Sequence, residues 1–96
     1  MKIIWSPRAR KHLQEYVDYI AQDNLEAARA WQEGLIEKVG RIGEFPGKGR
    51  VVPEDGRPSV REVFYKSHRI IYKITSKDII ILTIRHSKQL IDVKEL

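Results

Sequence analysis

Three residues in the C-terminal third of the chain have side chains suited to phosphodiester chemistry: His86, Arg69 and Arg85. Cleavage of RNA through its own 2'-hydroxyl needs a base for that proton, a donor for the leaving oxygen, and fixed positive charge on the phosphate. A histidine with an ordinary pKa of about 6.5 suits proton transfer near neutrality, and an arginine can hold phosphate oxygens bidentately. Arg69 and His86 are therefore the candidate catalytic residues. The alternative is that His86 merely ends a strand with its ring in a satisfied hydrogen bond.

Positive charge is concentrated around these residues. From Arg57 to Lys88 there are eight Lys and Arg residues against two acids, a net charge of +6, while the whole chain carries +5. Charge gathered on one small sheet, with aromatic residues interleaved, is typical of a surface that binds an anionic partner; a solvated sheet face is the plain alternative. The candidate residues for contact with a nucleic acid or another target are Lys48, Arg50, Arg61, Tyr65, Arg85 and Lys88.

The remaining polar residues suggest no further chemistry. The three histidines are scattered without acidic partners at ligand spacing, and the chain has no cysteine, so the sequence predicts neither a metal site nor a cofactor. Glu54 and Asp55 are adjacent carboxylates in a predicted turn. We expect both of them to be solvated.

The first half of the chain is predicted to form a helical hairpin. Ser6 followed by Pro7 is a strong helix start, and apolar residues then recur at helical spacing as far as Ile20. The spacing from Asp23 to Glu26 is that of a capping box and predicts a second helix after a very short turn. Two helices joined by so few residues must run antiparallel.

The second half is predicted to form a sheet. After a loop rich in Gly and Pro, three strands are expected near residues 60–66, 68–75 and 79–86. If residues 76–77 form a two-residue turn, Arg69 faces Ile84, and Arg69 and His86 meet at one end of one sheet face. A turn one residue longer would reverse this. The hairpin covers only one face, so the C-terminal tail or a partner must cover the other.

Length and composition predict one α+β domain over residues 1–96. It comprises an N-terminal strand at residues 2–5, the antiparallel helical hairpin, and a three-stranded antiparallel meander packed on that hairpin. No apolar run approaches the roughly 20 residues of a membrane helix, and the first one is too short for a signal-peptide core. We therefore expect a cytoplasmic protein, in agreement with the lack of cysteine.

The order of these elements, together with several short motifs, resembles the RelE/ParE toxin superfamily, nearer its ParE-like, plasmid-stabilisation branch. The motifs are SPRARKHLQEYVDYIAQDN, Phe45-Pro46-Gly47, Gly49-Arg50, Val60-Arg61-Glu62, His68-Arg69-Ile70-Ile71-Tyr72 and Ile84-Arg85-His86. The resemblance covers nearly the whole chain. It implies the toxin of a type II toxin–antitoxin module, a small basic protein that arrests growth and is held inactive by a tight cognate antitoxin.

The resemblance divides over the molecular mechanism. RelE-like members are ribosome-dependent endoribonucleases that use no metal, whereas ParE-like members inhibit DNA gyrase through protein contact and perform no chemistry. Arg69 and His86 match positions that both branches carry. Val60 and Glu62 stand where a RelE-like nuclease is expected to have lysines, which favours inhibition of gyrase. Cleavage of mRNA on the ribosome is the enzymatic alternative, and a non-toxic nucleic-acid-binding domain is the third.

An antitoxin segment is expected to fold across the sheet face that the hairpin leaves uncovered, burying apolar residues and placing acids near the arginines. Its predicted contacts are Arg69, Ile71, Ile80, Leu82, Ile84 and Arg85. The other expected partner is DNA gyrase or, in the alternative, the ribosome with mRNA. No membrane partner is expected.

Overall fold

The helical hairpin forms where the capping signals place it. A computed structural model describes residues 1–96, in which helix α1 spans Pro7–Ala21 and helix α2 spans Leu25–Ile42. Ser6 caps α1 through its Oγ, which accepts the N–H of Ala9 at 3.0 Å. The cap of α2 is Asn24, one residue beyond the expected Asp23, and its Oδ1 accepts the N–H of Ala27 at 3.0 Å. Neither helix combines the length and the apolar composition that a bilayer crossing requires.

The sheet has five strands, β1 (Lys2–Trp5), β2 (Arg50–Val51), β3 (Val60–Tyr65), β4 (His68–Ile74) and β5 (Asp78–His86), in the order β1-β5-β4-β3-β2. The antiparallel meander β3-β4-β5 and its place on the helices confirm the predicted α+β fold. The structure adds two pairings: β1 lies parallel to β5, and the short β2 lies antiparallel to β3. β5 is thereby an interior strand, as its run of apolar residues indicates.

The two faces of the sheet carry separate apolar clusters. The helix face, on which α1 and α2 pack, is the larger, and its buried residues include Trp31, Leu35, Val39, Ile70, Tyr72, Ile79, Ile81 and Ile84. The far face carries a smaller cluster of Val52, Val60, Ile71 and Ile91. Ile91 belongs to the C-terminal segment, residues 87–96, and is only 5% exposed. This segment therefore covers part of the far face. Of the two covers predicted for that face, the C-terminal tail and a partner, the tail is the one seen here.

A β-bulge at Leu82 changes which side chains share a face. Near the turn the predicted register is correct, since Tyr72 pairs with Ile81. Beyond the bulge Arg69 pairs with Arg85 rather than with Ile84, because Leu82 adds one residue to β5 that has no partner on β4. The extra residue reverses the alternation of the strand, so Ile84 and His86 turn to the helix face. The predicted meeting of Arg69 and His86 is therefore wrong.

Candidate functional site

Arg69 lies on the far face inside an ion-pair network. The residue is only 4% exposed. Its Nε donates to Glu62 Oε1 at 2.6 Å, and its Nη1 and Nη2 donate to the two carboxylate oxygens of Glu54 at 2.7 and 2.8 Å. Nη1 also donates to the carbonyl of Gln89 at 3.3 Å. Because a guanidinium has only five N–H groups, Arg69 has little left to offer to a phosphate or to an antitoxin carboxylate.

The network joins three parts of the chain. Glu62 on β3 is 1% exposed, and its second oxygen accepts from Arg50 Nε on β2 at 2.5 Å. Glu54, in the loop between β2 and β3, also accepts the backbone N–H of Ile91 in the C-terminal segment at 3.1 Å. The hydrogen bonds from Arg69 lower the pKa of Glu54 to about 2, and Glu54 in turn raises the pKa of Arg69. The expectation that Glu54 is solvated is therefore wrong, because the carboxylate neutralises a buried cation.

His86 lies on the other side of the sheet, in an aromatic cluster. It pairs directly with His68, and the ring centroids of the two histidines are 5.5 Å apart. The His68 ring also meets Tyr16 and Trp31 edge-on, at 4.5 and 5.1 Å. Burial and the neighbouring His86 lower the pKa of His68. The backbone N–H of Lys88 donates to His86 Nδ1 at 3.2 Å, so the ring of His86 is held by a local hydrogen bond at the end of its strand.

These histidines border an apolar cavity of about 470 Å³ together with residues of α1. Its wall is formed by Glu15, Tyr16, Tyr19, Ile20, His68 and His86. No lysine or arginine lines the cavity. Arg85 lies beside the wall residue Tyr16, but its guanidinium is paired with Glu95. A phosphate in this cavity would therefore have to displace Glu95 to meet the fixed positive charge that phosphodiester cleavage requires.

Three of the predicted contact residues are engaged within the protein. The guanidinium of Arg61 donates to the carbonyls of Pro58, Gly47 and Gly49 at 2.8 to 3.1 Å and so holds the loop. Tyr65 donates its hydroxyl to the carbonyl of Trp31 at 3.0 Å. Arg85 is half-buried and forms an ion pair with Glu95 of the C-terminal segment.

Lys48 and Arg50 border a groove at the opposite edge of the sheet from β1. The groove measures about 630 Å³ and runs between the end of α2 and strands β2 and β3. We call this the basic groove and define it by Lys38, Arg41, Phe45, Lys48, Arg50 and Phe64. Two of its aromatic residues are unusually accessible, since Phe45 is 66% exposed and Phe64 is 44% exposed. Lys88, by contrast, is exposed beside His86 and far from this groove in the sheet order.

The four predicted apolar contacts are divided by the bulge. Ile84 is part of the helix-face core, so it is not available to a segment on the far face. Ile71 is fully buried beneath the C-terminal segment. Ile80 and Leu82 remain half-buried, and Ile80 pairs with Ile4 of β1, which is 37% exposed. Ile4, Ile80 and Leu82 form what we call the β1 strip.

One comparison with known proteins identifies the family, and a second shows the same fold. The family of ParE toxins of type II toxin–antitoxin systems, parDE, matches residues 3–91. The fold matches a solved structure of the chromosomal ParDE TA system from P. aeruginosa with a TM-score of 0.77 and 22% identity, over 92% of this chain and 97% of that chain. A search of curated proteins found no match. The chain belongs to the ParE toxin family, which confirms the resemblance seen in the sequence, and it is thus a type II toxin with a cognate antitoxin as its partner.

The ion-pair network predicts a large stability effect for Arg69. Replacing Arg69 by Met leaves Glu54 without its cation and Glu62 with only Arg50, which should lower the free energy of unfolding by about 3 to 5 kcal/mol. The control is Arg41→Met, which removes an exposed helical ion pair with Glu37 and should cost at most about 0.5 kcal/mol. Urea unfolding followed by circular dichroism measures both variants. Equal losses would contradict a stabilising role of the buried network, and adding Glu62→Leu to Arg69→Met should recover part of the loss.

Glu54 should make stability depend on acid pH. Since its folded-state pKa of about 2 lies below the ordinary 4.5, its contribution is complete above about pH 4.5 and is lost as the pH falls toward 2. The difference in unfolding free energy between wild type and Glu54→Gln should therefore shrink over that range. Glu33→Gln, which alters an exposed carboxylate of α2, serves as the control. A wild-type to Glu54→Gln difference that stays constant from pH 6 to 2 would refute the assignment.

Proposed function

We propose that this toxin arrests growth in the cytoplasm by inhibiting DNA gyrase through protein contact, without catalysis. The observation that carries the proposal is the separation of Arg69 from His86, the two candidate catalytic residues. His86 lies on the helix face, whereas Arg69 lies on the far face with its donors engaged by Glu54 and Glu62. A base and a fixed cation on opposite faces of a sheet cannot act on one phosphate.

Membership of the ParE family supports the same mechanism. Inhibition by contact needs an accessible surface, which the basic groove and the β1 strip provide, and it needs no cofactor or metal. Ribosome-dependent mRNA cleavage is the alternative with a specific observation in its favour, because His68, His86 and Tyr16 form an aromatic cavity in which an unstacked base can be held. However, no lysine or arginine lines that cavity, and the neighbouring Arg85 is paired with Glu95. We therefore propose that the toxin acts by contact.

For the antitoxin we propose binding along the β1 strip, with acidic side chains directed to Arg85. Ile4, Ile80 and Leu82 lie where neither the hairpin nor the C-terminal segment fully covers the far face. Arg85 is reached by exchanging its present partner Glu95 for an antitoxin carboxylate. Arg69 then affects antitoxin binding indirectly, because its ion pairs with Glu54 and Glu62 maintain the shape of the far face, and its charge is not offered to the antitoxin.

Titration with the cognate antitoxin tests this surface. Binding should be nanomolar or tighter and should weaken with salt. Ile80→Asp should weaken it at least about tenfold by placing a charge in the apolar contact. Ile36→Asp on α2, where Ile36 is 48% exposed, is the matched control and should have little effect. The assignment fails if Ile80→Asp binds as tightly as the wild type, or if binding is micromolar and insensitive to salt.

The gyrase mechanism is tested through His86→Ala. If the toxin acts by contact, this variant should still arrest growth and should still inhibit supercoiling by purified gyrase within about twofold, since only a local surface changes. A general acid or base, in contrast, is worth about a hundredfold or more in rate. Cell survival, mRNA integrity and plasmid supercoiling are followed together after induction, and circular dichroism checks that the variant folds.

One pattern of results would contradict inhibition of gyrase and show nuclease activity instead. The wild type would fragment translated mRNA while supercoiling stays normal, and a folded His86→Ala variant would lose both fragmentation and toxicity.

A further inference from the structure

Strand β3 extends beyond its neighbour at the β2 edge of the sheet. β2 pairs with Arg61 and Glu62 only, and after β2 the N–H of Val52 donates to the carbonyl of Val60 at 3.1 Å. Val63 to Tyr65 pair with β4 on one side and have no strand on the other. This part of β3 is therefore an open sheet edge at the basic groove.

The alternation of N–H and C=O groups along β3 identifies the residue whose backbone groups are unpaired at this edge. Val60 directs its carbonyl to the β2 side, as the hydrogen bond from Val52 establishes. In an antiparallel ladder every second residue turns its N–H and C=O to the same neighbour. Glu62 and Phe64 therefore face the β2 side as well, and Val63 and Tyr65 face β4. No residue of β2 lies opposite Phe64, so its N–H and C=O point into the basic groove.

The walls of the groove combine positive charge with accessible aromatic rings. Lys38 and Arg41 come from α2, and Lys48 and Arg50 from the other side. The Arg50 guanidinium lies 5.1 Å from the centre of the Phe64 ring. The acids in the lining are Glu44 and Glu62, and Glu62 is buried and already bound by two arginines. Arg41 and Arg50 are paired with Glu37 and Glu62, whereas Lys38 and Lys48 form no ion pair. The lining therefore has a net positive charge, and Phe45 and Phe64 add apolar surface to it.

We propose that an extended acidic segment of a partner protein binds in the basic groove as an added strand along Val63 to Tyr65. Its backbone would complete the hydrogen bonds of Phe64, an apolar side chain would pack on Phe45 and Phe64, and its carboxylates would meet Lys38, Lys48 and Arg50. A polypeptide fits better than a nucleic acid because the edge offers a donor and an acceptor at strand spacing, which a sugar-phosphate backbone does not match. A second copy of the chain is disfavoured, since each copy carries a net charge of +5.

Selection from a random dodecapeptide library displayed on phage tests this proposal directly, because the groove then chooses its own ligand. The enriched peptides should be acidic with alternating apolar residues, and their binding should weaken with salt. Lys48→Glu should reduce their affinity at least about tenfold, while Arg29→Glu, the same charge change near the start of α2, should not. Phe64→Pro, which removes the edge N–H, should reduce affinity more than Phe64→Ala, which keeps it.

Hydrogen exchange gives a readout that does not depend on a variant that folds poorly. In the complex of the wild-type protein with a selected peptide, exchange of the Phe64 amide should slow at least about tenfold. Peptides without acidic bias, affinity unchanged by Lys48→Glu, or an unprotected Phe64 amide would each overturn the proposal. Competition by oligothymidylate that protects the same amide would assign the groove to nucleic acid instead.

Discussion

The buried guanidinium of Arg69 is the constraint on which the far face depends. A cation with 4% exposure is unfavourable unless carboxylates surround it, and here they come from the β2–β3 loop and from β3. The same guanidinium and Glu54 also bind the backbone of the C-terminal segment, at Gln89 and Ile91. One ion thus fixes three parts of the chain that share little apolar surface, since the far-face cluster has only four buried residues.

A single extra residue in β5 separates the two candidate catalytic side chains. Without the bulge at Leu82, the alternation of β5 would place His86 on the far face beside Arg69, which is the arrangement that a phosphodiester-cleaving site needs. With the bulge, His86 lies with His68 and the aromatic residues of the hairpin. Arg69 is then opposite Arg85 in the strand register. Bulges commonly redirect side chains in this way. The two candidate catalytic residues, Arg69 and His86, are therefore both present in the chain but are held on opposite faces of the sheet.

Much of this fold follows from local signals in the sequence. Ser6 and Pro7 fix the start of α1, the short turn fixes the hairpin, and the strands of the meander lie within two residues of their predicted bounds. The bulge has no such signal, because no glycine marks it and Leu82 continues an apolar run. Glu54 is also unpredictable, since its partner Arg69 is distant in sequence. The contact between Glu62 and Arg69, by contrast, could have been predicted. A two-residue turn at Lys66 and Ser67 pairs Tyr65 with His68, and this register places Glu62 diagonal to Arg69 on the same face of the sheet.

The positive charge of the sequence is not a single binding surface in the structure. Of the eight cations between Arg57 and Lys88, Arg57, Arg69 and Arg85 form ion pairs within the chain, and Arg61 binds backbone carbonyls. The four remaining lysines, Lys66, Lys73, Lys77 and Lys88, are spread from one end of the strands to the other. A polyanion gains most from many free cations along one track, and this sheet offers no such track. What the surface does offer is accessible apolar residues and an open strand edge with cations beside it. These are features of a surface that binds protein.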